Sequence, residues 1–230
     1  MRTHIRNAVI VSSLLLSFGC SGVISLVNEF ENKEPINVKS FNLLPVRISD
    51  LSCNLIPGTV IGGHFDGTAR AKEQDYFAPS DIDKFVSRKY FEILLEEYSD
   101  AGYSVASPFT ERTSFTRAVE ILLLGSVVGL NIKTFGAQAG DYTEVLLEIN
   151  WDFYASDNLA MIYNCKSQGK SYISGNSIDQ AVRIAFKYGV RNLLADSSMV
   201  DILADYTSEN DVQKQISLFE KSGNNQLKMH

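Results

Sequence analysis

His64 and Asp66 are the first side chains whose types suit chemistry, because a histidine beside a carboxylate can act as a general base. Both lie in the glycine-rich segment GGHFDG. A hydrolase built on His64 would also need a placed nucleophile. The sequence contains neither a G-x-S-x-G elbow nor a G-x-x-x-x-G-K-[ST] phosphate loop. Asp66-Gly67 is a common turn pair, so a loop from Pro57 to Gly67 is predicted here instead of a catalytic centre.

Three carboxylates, Glu144, Glu148 and Asp152, fall at every fourth position of one predicted strand and therefore on one face of it. Paired acids can hydrolyse glycosides or bind calcium. Neighbours on one strand face are about 7 Å apart, which suits glycosidase geometry only loosely. A solvated strand face explains the three acids without a catalytic role.

Cys53 and Cys165 leave two readings open. In an oxidising compartment the two thiols can form one disulfide, and they can equally be two buried free thiols. A metal site is not predicted, because the cysteines are far apart in sequence and the three histidines show no ligand spacing. No cofactor is predicted either.

The first twenty residues, MRTHIRNAVIVSSLLLSFGC, have the layout of a signal peptide. The apolar run is about a dozen residues long, short of the roughly 20 that span a bilayer. The end of this segment resembles the bacterial lipoprotein signal, in which Gly19 precedes a cysteine that is lipidated on sulfur. The resemblance implies lipidation of Cys20, and Ser21 after it implies the outer membrane. A plain secretory peptide is the alternative.

The net charge of the chain and its predicted segments follow from the composition. Twenty-one basic and 27 acidic side chains give a net charge of −6, which becomes about −8 once the two arginines of the signal are removed. Such a chain is not expected to bind nucleic acid. We predict a signal peptide over 1–20, a tether over 21–40, one periplasmic domain over 41–204, and a polar tail over 205–230.

Periodicity predicts the elements of that domain. Alternating apolar residues predict strands over 143–154 and 159–167, joined as an antiparallel hairpin. Further strands are expected over 41–48 and 119–132. Helices are expected from Ser80 to Gly102 and from Ser177, where Gln180 completes a capping box, and a short helical segment over 199–203. Together these predict a two-layer α+β sandwich, a mainly antiparallel sheet with two principal helices on one face.

The apolar side chains of the predicted strands divide between the two faces of the sheet. Trp151 and Phe153 follow the buried alternation and are assigned to the core. Leu122, Leu124 and Leu146 fall on the opposite face and are assigned to a covered or partner-facing surface. Ala181, Ala185 and Gly189 form a strip of small residues that would bring the second helix close to the sheet.

The segments ILLLGSVVGLNI, YTEVLLEINWDFYASDNLAMIYNCKSQG and SIDQAVRIAFKYGVRNLLADSSMVDIL resemble a group of bacterial envelope lipoproteins. The group comprises ABC-transport auxiliary lipoproteins and the lipoproteins of curli and exopolysaccharide secretion. The resemblance implies a compact domain that docks on, or self-assembles within, an envelope transport or secretion complex, with no catalytic residues. We therefore expect a non-enzymatic, lipid-anchored, outer-membrane subunit facing the periplasm. A small-ligand or lipid carrier with a groove between helix and sheet is the alternative, and a hydrolase centred on His64 comes last.

Overall fold

A computed structural model of the protein describes residues 33–65, 72–78, 88–106, 120–136, 141–175 and 177–210. Cys20, Asp66 and the predicted helix start at Ser80 lie outside these residues. The elements, in chain order, are β1 (Val46–Cys53), β2 (Val60–Phe65), β3 (Lys72–Phe77), α1 (Arg88–Asp100), β4 (Val105–Ala106), β5 (Ile121–Phe135), β6 (Tyr142–Ala155), β7 (Met161–Ser174), α2 (Ile178–Leu194) and α3 (197–210).

β5 is the central strand of a seven-stranded sheet. On one side it pairs antiparallel with β6 along its whole length, and β7 pairs antiparallel with β6. On the other side β1 pairs parallel with the first half of β5, and β2 pairs parallel with its last four residues. β4 and β3 extend the sheet beyond β1 and β2. The two longest pairings are antiparallel, so the sheet is mainly antiparallel as predicted.

A β-bulge at Val128 changes which side chains of β5 face the helices. Before the bulge Ile121 and Leu123 are buried, and after it Ile132 and Thr134 are. One extra residue in a strand shifts the alternation by one position. β6 has no such break and buries every second residue from Thr143 to Ala155, which confirms its predicted period.

α1 and α2 lie on one face of the sheet, and α2 contacts β7 through small residues. A Cβ added at Gly169 of β7 would lie 1.7 Å from the carbonyl oxygen of Ala185 and 2.5 Å from the backbone nitrogen of Gly189. Only glycine permits this approach, so the predicted small-residue strip is confirmed. Helices on one face of a mainly antiparallel sheet make the two-layer α+β sandwich that the sequence predicts.

The interior between these layers is filled by large side chains. Trp151, Phe153, Phe186 and Tyr98 are all fully buried there. The indole Nε1–H of Trp151 donates a hydrogen bond of 2.7 Å to the hydroxyl of Ser167. The assignment of Trp151 and Phe153 to the core is correct.

Three local predictions are wrong. β2 occupies most of the predicted loop from Pro57 to Gly67, because Gly62, at φ +144°, allows β2 to lie against Ile132 of β5. β1 begins only after Pro45 and continues to Cys53. Ser177 precedes α2 but forms no side-chain capping hydrogen bond.

Residues 33–44, which we term the strap, lie across the ends of the helices. Its backbone N–H groups at Ile36 and Val38 donate to the carbonyls of Leu194 and Ala101, at 3.0 and 2.8 Å. Leu194 is the last residue of α2 and Ala101 directly follows α1, at helix ends where carbonyl acceptors are left unpaired. The Leu44 N–H donates to Thr207 Oγ1 of α3 at 3.1 Å.

The strap and α3 move both predicted boundaries of the domain. Residues 33–40 were assigned to a tether, yet Val38 is buried and hydrogen-bonded within the domain. The polar tail was placed from residue 205, yet α3 continues to 210 and Thr207 is buried. The packed domain therefore begins before residue 41 and continues beyond residue 204.

Candidate functional site

The face of the sheet that points away from α1 and α2, which we term the open face, contains the three predicted leucines. Leu122 and Leu124 lie on β5 and Leu146 on β6, each half-buried. They do not form one patch. Leu124 lies opposite Asp152, whereas Leu146 lies opposite Asn131, which separates the two leucines by about 20 Å along the strands.

The acidic side chains of β6 pair with β7 across the open face. Glu144 forms an ion pair of 3.0 Å with Lys170. Glu148 accepts a hydrogen bond of 3.2 Å from Gln168, and Asp152 accepts one from Asn164. Each acid is thus used in a cross-strand contact. Among the described residues no group of three or more potential ligands could hold a metal ion.

One end of the open face is closed by aromatic rings. Phe65, Phe135 and Tyr142 stack in sequence across β2, β5 and β6, with centroids 5.2 and 4.3 Å apart. Tyr172 of β7 continues the row at 4.9 Å. The ring faces contact one another, so this row stabilises the pairing of four strands.

His64 lies within β2 and contacts a buried hydroxyl. Its Nδ1 is 2.9 Å from Thr134 Oγ1, which is in turn 2.6 Å from the phenol oxygen of Tyr76. Thr134 is only 2% exposed, so its hydroxyl cannot meet a substrate. The contacts join β2, β3 and β5, and this arrangement gives His64 a structural role in the sheet.

Cys53 and Cys165 are unbridged thiols. β5 and β6 lie between their strands, so three strand spacings, or about 14 Å, separate them. A disulfide needs Cα atoms closer than about 7 Å, so of the two readings left open the structure agrees with two free thiols. Burial, with smaller effects of Asp196 and Asp152, raises the pKa of Cys165 to about 12. A thiol of this kind is a poor nucleophile at neutral pH.

Where the described residues of α2 and β7 meet at Gly169 and Gly189, backbone lies against backbone, which leaves no room there for the groove that a lipid carrier needs. A cavity of about 300 Å³ lies instead beside the strap and between the ends of α1 and α2. Its lining is polar. Glu97, 5% exposed, forms ion pairs of 2.8 Å with Lys187 and 3.5 Å with Arg191.

The turn of the β6–β7 hairpin presents an apolar tip that the sequence did not single out. Leu159 has φ +56°, a left-handed conformation that leucine rarely adopts. Its side chain is 66% exposed, and that of Met161 is 56% exposed. Met161 lies opposite Tyr154, and Tyr154 opposite Leu122, so an apolar row crosses three strands behind the tip. The sequence predicts Leu159 as the first residue of a strand, whereas β7 begins only at Met161 and Leu159 belongs to the turn.

No described helix is both long and apolar enough to cross a membrane. Neither a family model nor a curated protein matches the chain. Several solved structures are similar to it at low identity. A Xanthomonas campestris protein of family DUF330 has TM-score 0.38 and 11% identity over 80% of this chain and 95% of its own.

Two further structures are similar at the same level. A Helicobacter pylori protein described as a homologue of neuraminyllactose-binding hemagglutinin has TM-score 0.35 and 12% identity, covering 78% of this chain and 98% of its own. A Caulobacter crescentus protein described as a lipoprotein has TM-score 0.29 and 14% identity, covering 54% and 88%. Scores this low establish no common function.

Proposed function

We propose that the protein is a bacterial envelope lipoprotein, attached to the outer membrane through Cys20 and facing the periplasm, where it acts as a non-enzymatic accessory or assembly subunit of a transport or secretion complex. The observation that carries the proposal is the open face. The described parts of α1 and α2 lie on one face of the sheet, and Leu122, Leu124 and Leu146 lie half-buried on the other.

An isolated apolar side chain on a solvent-facing sheet surface costs little free energy. Burial of such side chains under a partner is favourable. The polar cross-strand pair of Glu148 with Gln168 lies between Leu146 and the two leucines of β5, and the ion pair of Glu144 with Lys170 lies beside Leu146. A surface of apolar positions separated by paired polar groups resembles a reversible protein interface more than an internal core.

The non-enzymatic part of the proposal rests on how the chemically suitable side chains are used. The hydroxyl beside His64 is buried, and the β6 acids are paired across strands. The high pKa of Cys165 also disfavours a thiolate nucleophile.

Two neighbouring leucines provide a matched test of the open face. Leu146 points to the open face, whereas Leu147 is fully buried under the helices. The wild-type chain is expected to run as a high-mass complex on native gels of solubilised membranes. Leu146→Glu is expected to remove this complex and to keep the thermal unfolding midpoint within a few degrees. Leu147→Glu is expected to unfold the domain, because it buries a charge without a partner. If Leu146→Glu folds and leaves the complex intact, the open face is not the docking surface.

The anchor has a separate test. Growth with an acyl-chain analogue is expected to label the wild-type chain and not Cys20→Ser, with Cys53→Ser as the control that keeps the label. An unlabelled wild-type chain would contradict the lipoprotein assignment. The docking surface is tested independently by the leucine variants.

A further inference from the structure

The tip of the β6–β7 hairpin is a rigid apolar projection. The Leu159 N–H donates to the Ala155 carbonyl at 3.0 Å, and the Ala160 N–H donates to Asn158 Oδ1 at 2.8 Å. Ser156 exchanges hydrogen bonds with the backbone of Glu120, at 2.8 and 3.0 Å. These bonds fix the turn, so Leu159 is presented in one conformation with most of its side chain in water.

Leucine is an unfavourable residue for this position. The left-handed conformation costs a residue with a Cβ about 1–2 kcal/mol, and glycine or asparagine would avoid most of that cost. Burial cannot offset the cost within the monomer, because the side chain is 66% exposed. Backbone strain of this kind occurs mainly where the strained residue serves a function.

Among the residues that the structure describes, the charges around the tip are mostly acidic. Asp157 lies in the turn and is exposed. Asp152 and Asp196 accept hydrogen bonds from the neutral side chains of Asn164 and Tyr163, so these contacts do not neutralise them. The nearby Arg47 is neutralised by Glu120, with two contacts of 2.5 and 2.8 Å. An apolar projection with an acidic rim is complementary to an apolar pocket with a basic rim, and it is repelled by an anionic lipid surface.

We propose that Leu159 and Met161, supported by Tyr154 and Leu122, form an anchor that inserts into an apolar pocket flanked by lysine or arginine on a protein partner. This inference rests on the proposed function, since it identifies the contact by which the protein would join an envelope complex. Insertion would bury the exposed leucine and methionine, and the acidic rim would steer the approach and fix its orientation.

Leu159→Gly separates docking from folding. Glycine relieves the strain at φ +56° and deletes the anchor, so the thermal midpoint is expected to stay equal or rise, while the complex on native gels of solubilised membranes falls at least about tenfold. Ile56→Gly is the matched control, because Ile56 is an exposed aliphatic residue of another loop, 71% exposed. It is expected to leave the complex unchanged.

The chemistry of the partner is tested by charge and by contact mapping. Asp157→Lys is expected to reduce the complex, and raising the salt concentration is expected to reduce the wild-type complex and not the residual complex of Asp157→Lys. A photoreactive residue at position 159 of the full-length chain is expected to crosslink to a different protein, within a peptide that contains lysine or arginine beside apolar residues.

Several results would overturn the inference. One is a crosslink from position 159 to a second copy of this chain, to lipid or to an acidic peptide. Another is an unchanged complex in Leu159→Gly. A third is a lowered thermal unfolding midpoint in that variant. If Leu146→Glu removes the complex and Leu159→Gly does not, the anchor is wrong and the proposed function stands. If neither variant changes the complex, or if the wild-type chain forms none, the proposed function fails as well.

Discussion

Replacing Gly169 by alanine is expected to destabilise the domain severely, because α2 lies against the backbone of β7 at this residue. The new Cβ would lie 1.7 Å from the Ala185 carbonyl oxygen and 2.5 Å from the Gly189 nitrogen. Carbon–oxygen contacts in proteins are usually about 3.3 Å or longer, so the helix must retreat by roughly 1.5 Å.

A retreat of that size weakens packing along the whole buried side of α2. A gap of about 0.5–1 Å already removes a quarter to a half of the dispersion attraction between packed atoms. The buried side of α2 includes Phe186, Val190 and Leu193. We expect a loss of about 3–5 kcal/mol in the free energy of unfolding, similar to deleting a large core side chain.

Gly189→Ala is the matched control in the same contact. Its added Cβ would meet the end of the Ile149 side chain at 3.0 Å, and its next neighbour, the backbone nitrogen of Gly169, lies at an ordinary contact distance of 3.6 Å. That methyl group can move, and alanine gains about 1 kcal/mol over glycine within a helix. We expect a net change below about 1 kcal/mol. Urea unfolding of the full chain, followed by circular dichroism and by fluorescence of the single tryptophan, measures both variants. A Gly169→Ala loss below about 1 kcal/mol, or a larger loss in Gly189→Ala, would refute the reasoning.

Three further predictions use the same domain. Ser167→Ala leaves the Trp151 indole N–H buried without its acceptor and should cost about 1–3 kcal/mol in urea unfolding; an unchanged midpoint would mean that another acceptor replaces the hydroxyl. Gly62→Ala places a Cβ 1.8 Å from the Ile132 carbonyl oxygen, so hydrogen exchange should accelerate in β2 and β3 and not in β6; uniform acceleration would contradict a local effect. Cys165 should resist alkylation at pH 8. Because its folded pKa, about 12, lies above the ordinary value of 9.0, its contribution to stability should be complete below pH 9.0 and decline as the pH rises towards 12. Cys165→Ala should reduce that decline, and an unchanged slope would show that other groups cause it.

The parts of the fold that the sequence predicts are those with a strong local signal. β6 alternates without interruption, and α2 combines a helical apolar stripe with a strip of small residues. Both are found within a few residues of their predicted limits. Nothing local encodes the parallel pairing of β1 and β2 with β5, because those partners are distant in sequence. The bulge at Val128 interrupts the alternation of β5, and its position is set by the pairing of β5 with β6 and not by a local sequence signal.

The candidate site shows the same division. Leucines at solvent-facing positions of an alternating strand identify the open face, and Leu122, Leu124 and Leu146 all lie on it. The sequence cannot show that Leu146 is far from the other two, because that distance depends on strand register. Leu159 was missed because residue type does not reveal its left-handed backbone.

The strap also determines when this chain can finish folding. Its hydrogen bond from Leu44 to Thr207 joins residues 163 positions apart, and Ile36 closes onto the last residue of α2. Contacts of such long range form late and slowly, since closing a large loop must precede any gain from packing. The strap can therefore complete its packing only after α3 has formed. Before that helix is synthesised, Leu44 has no Thr207 hydroxyl to bond, and the strap cannot close fully over the ends of α1 and α2.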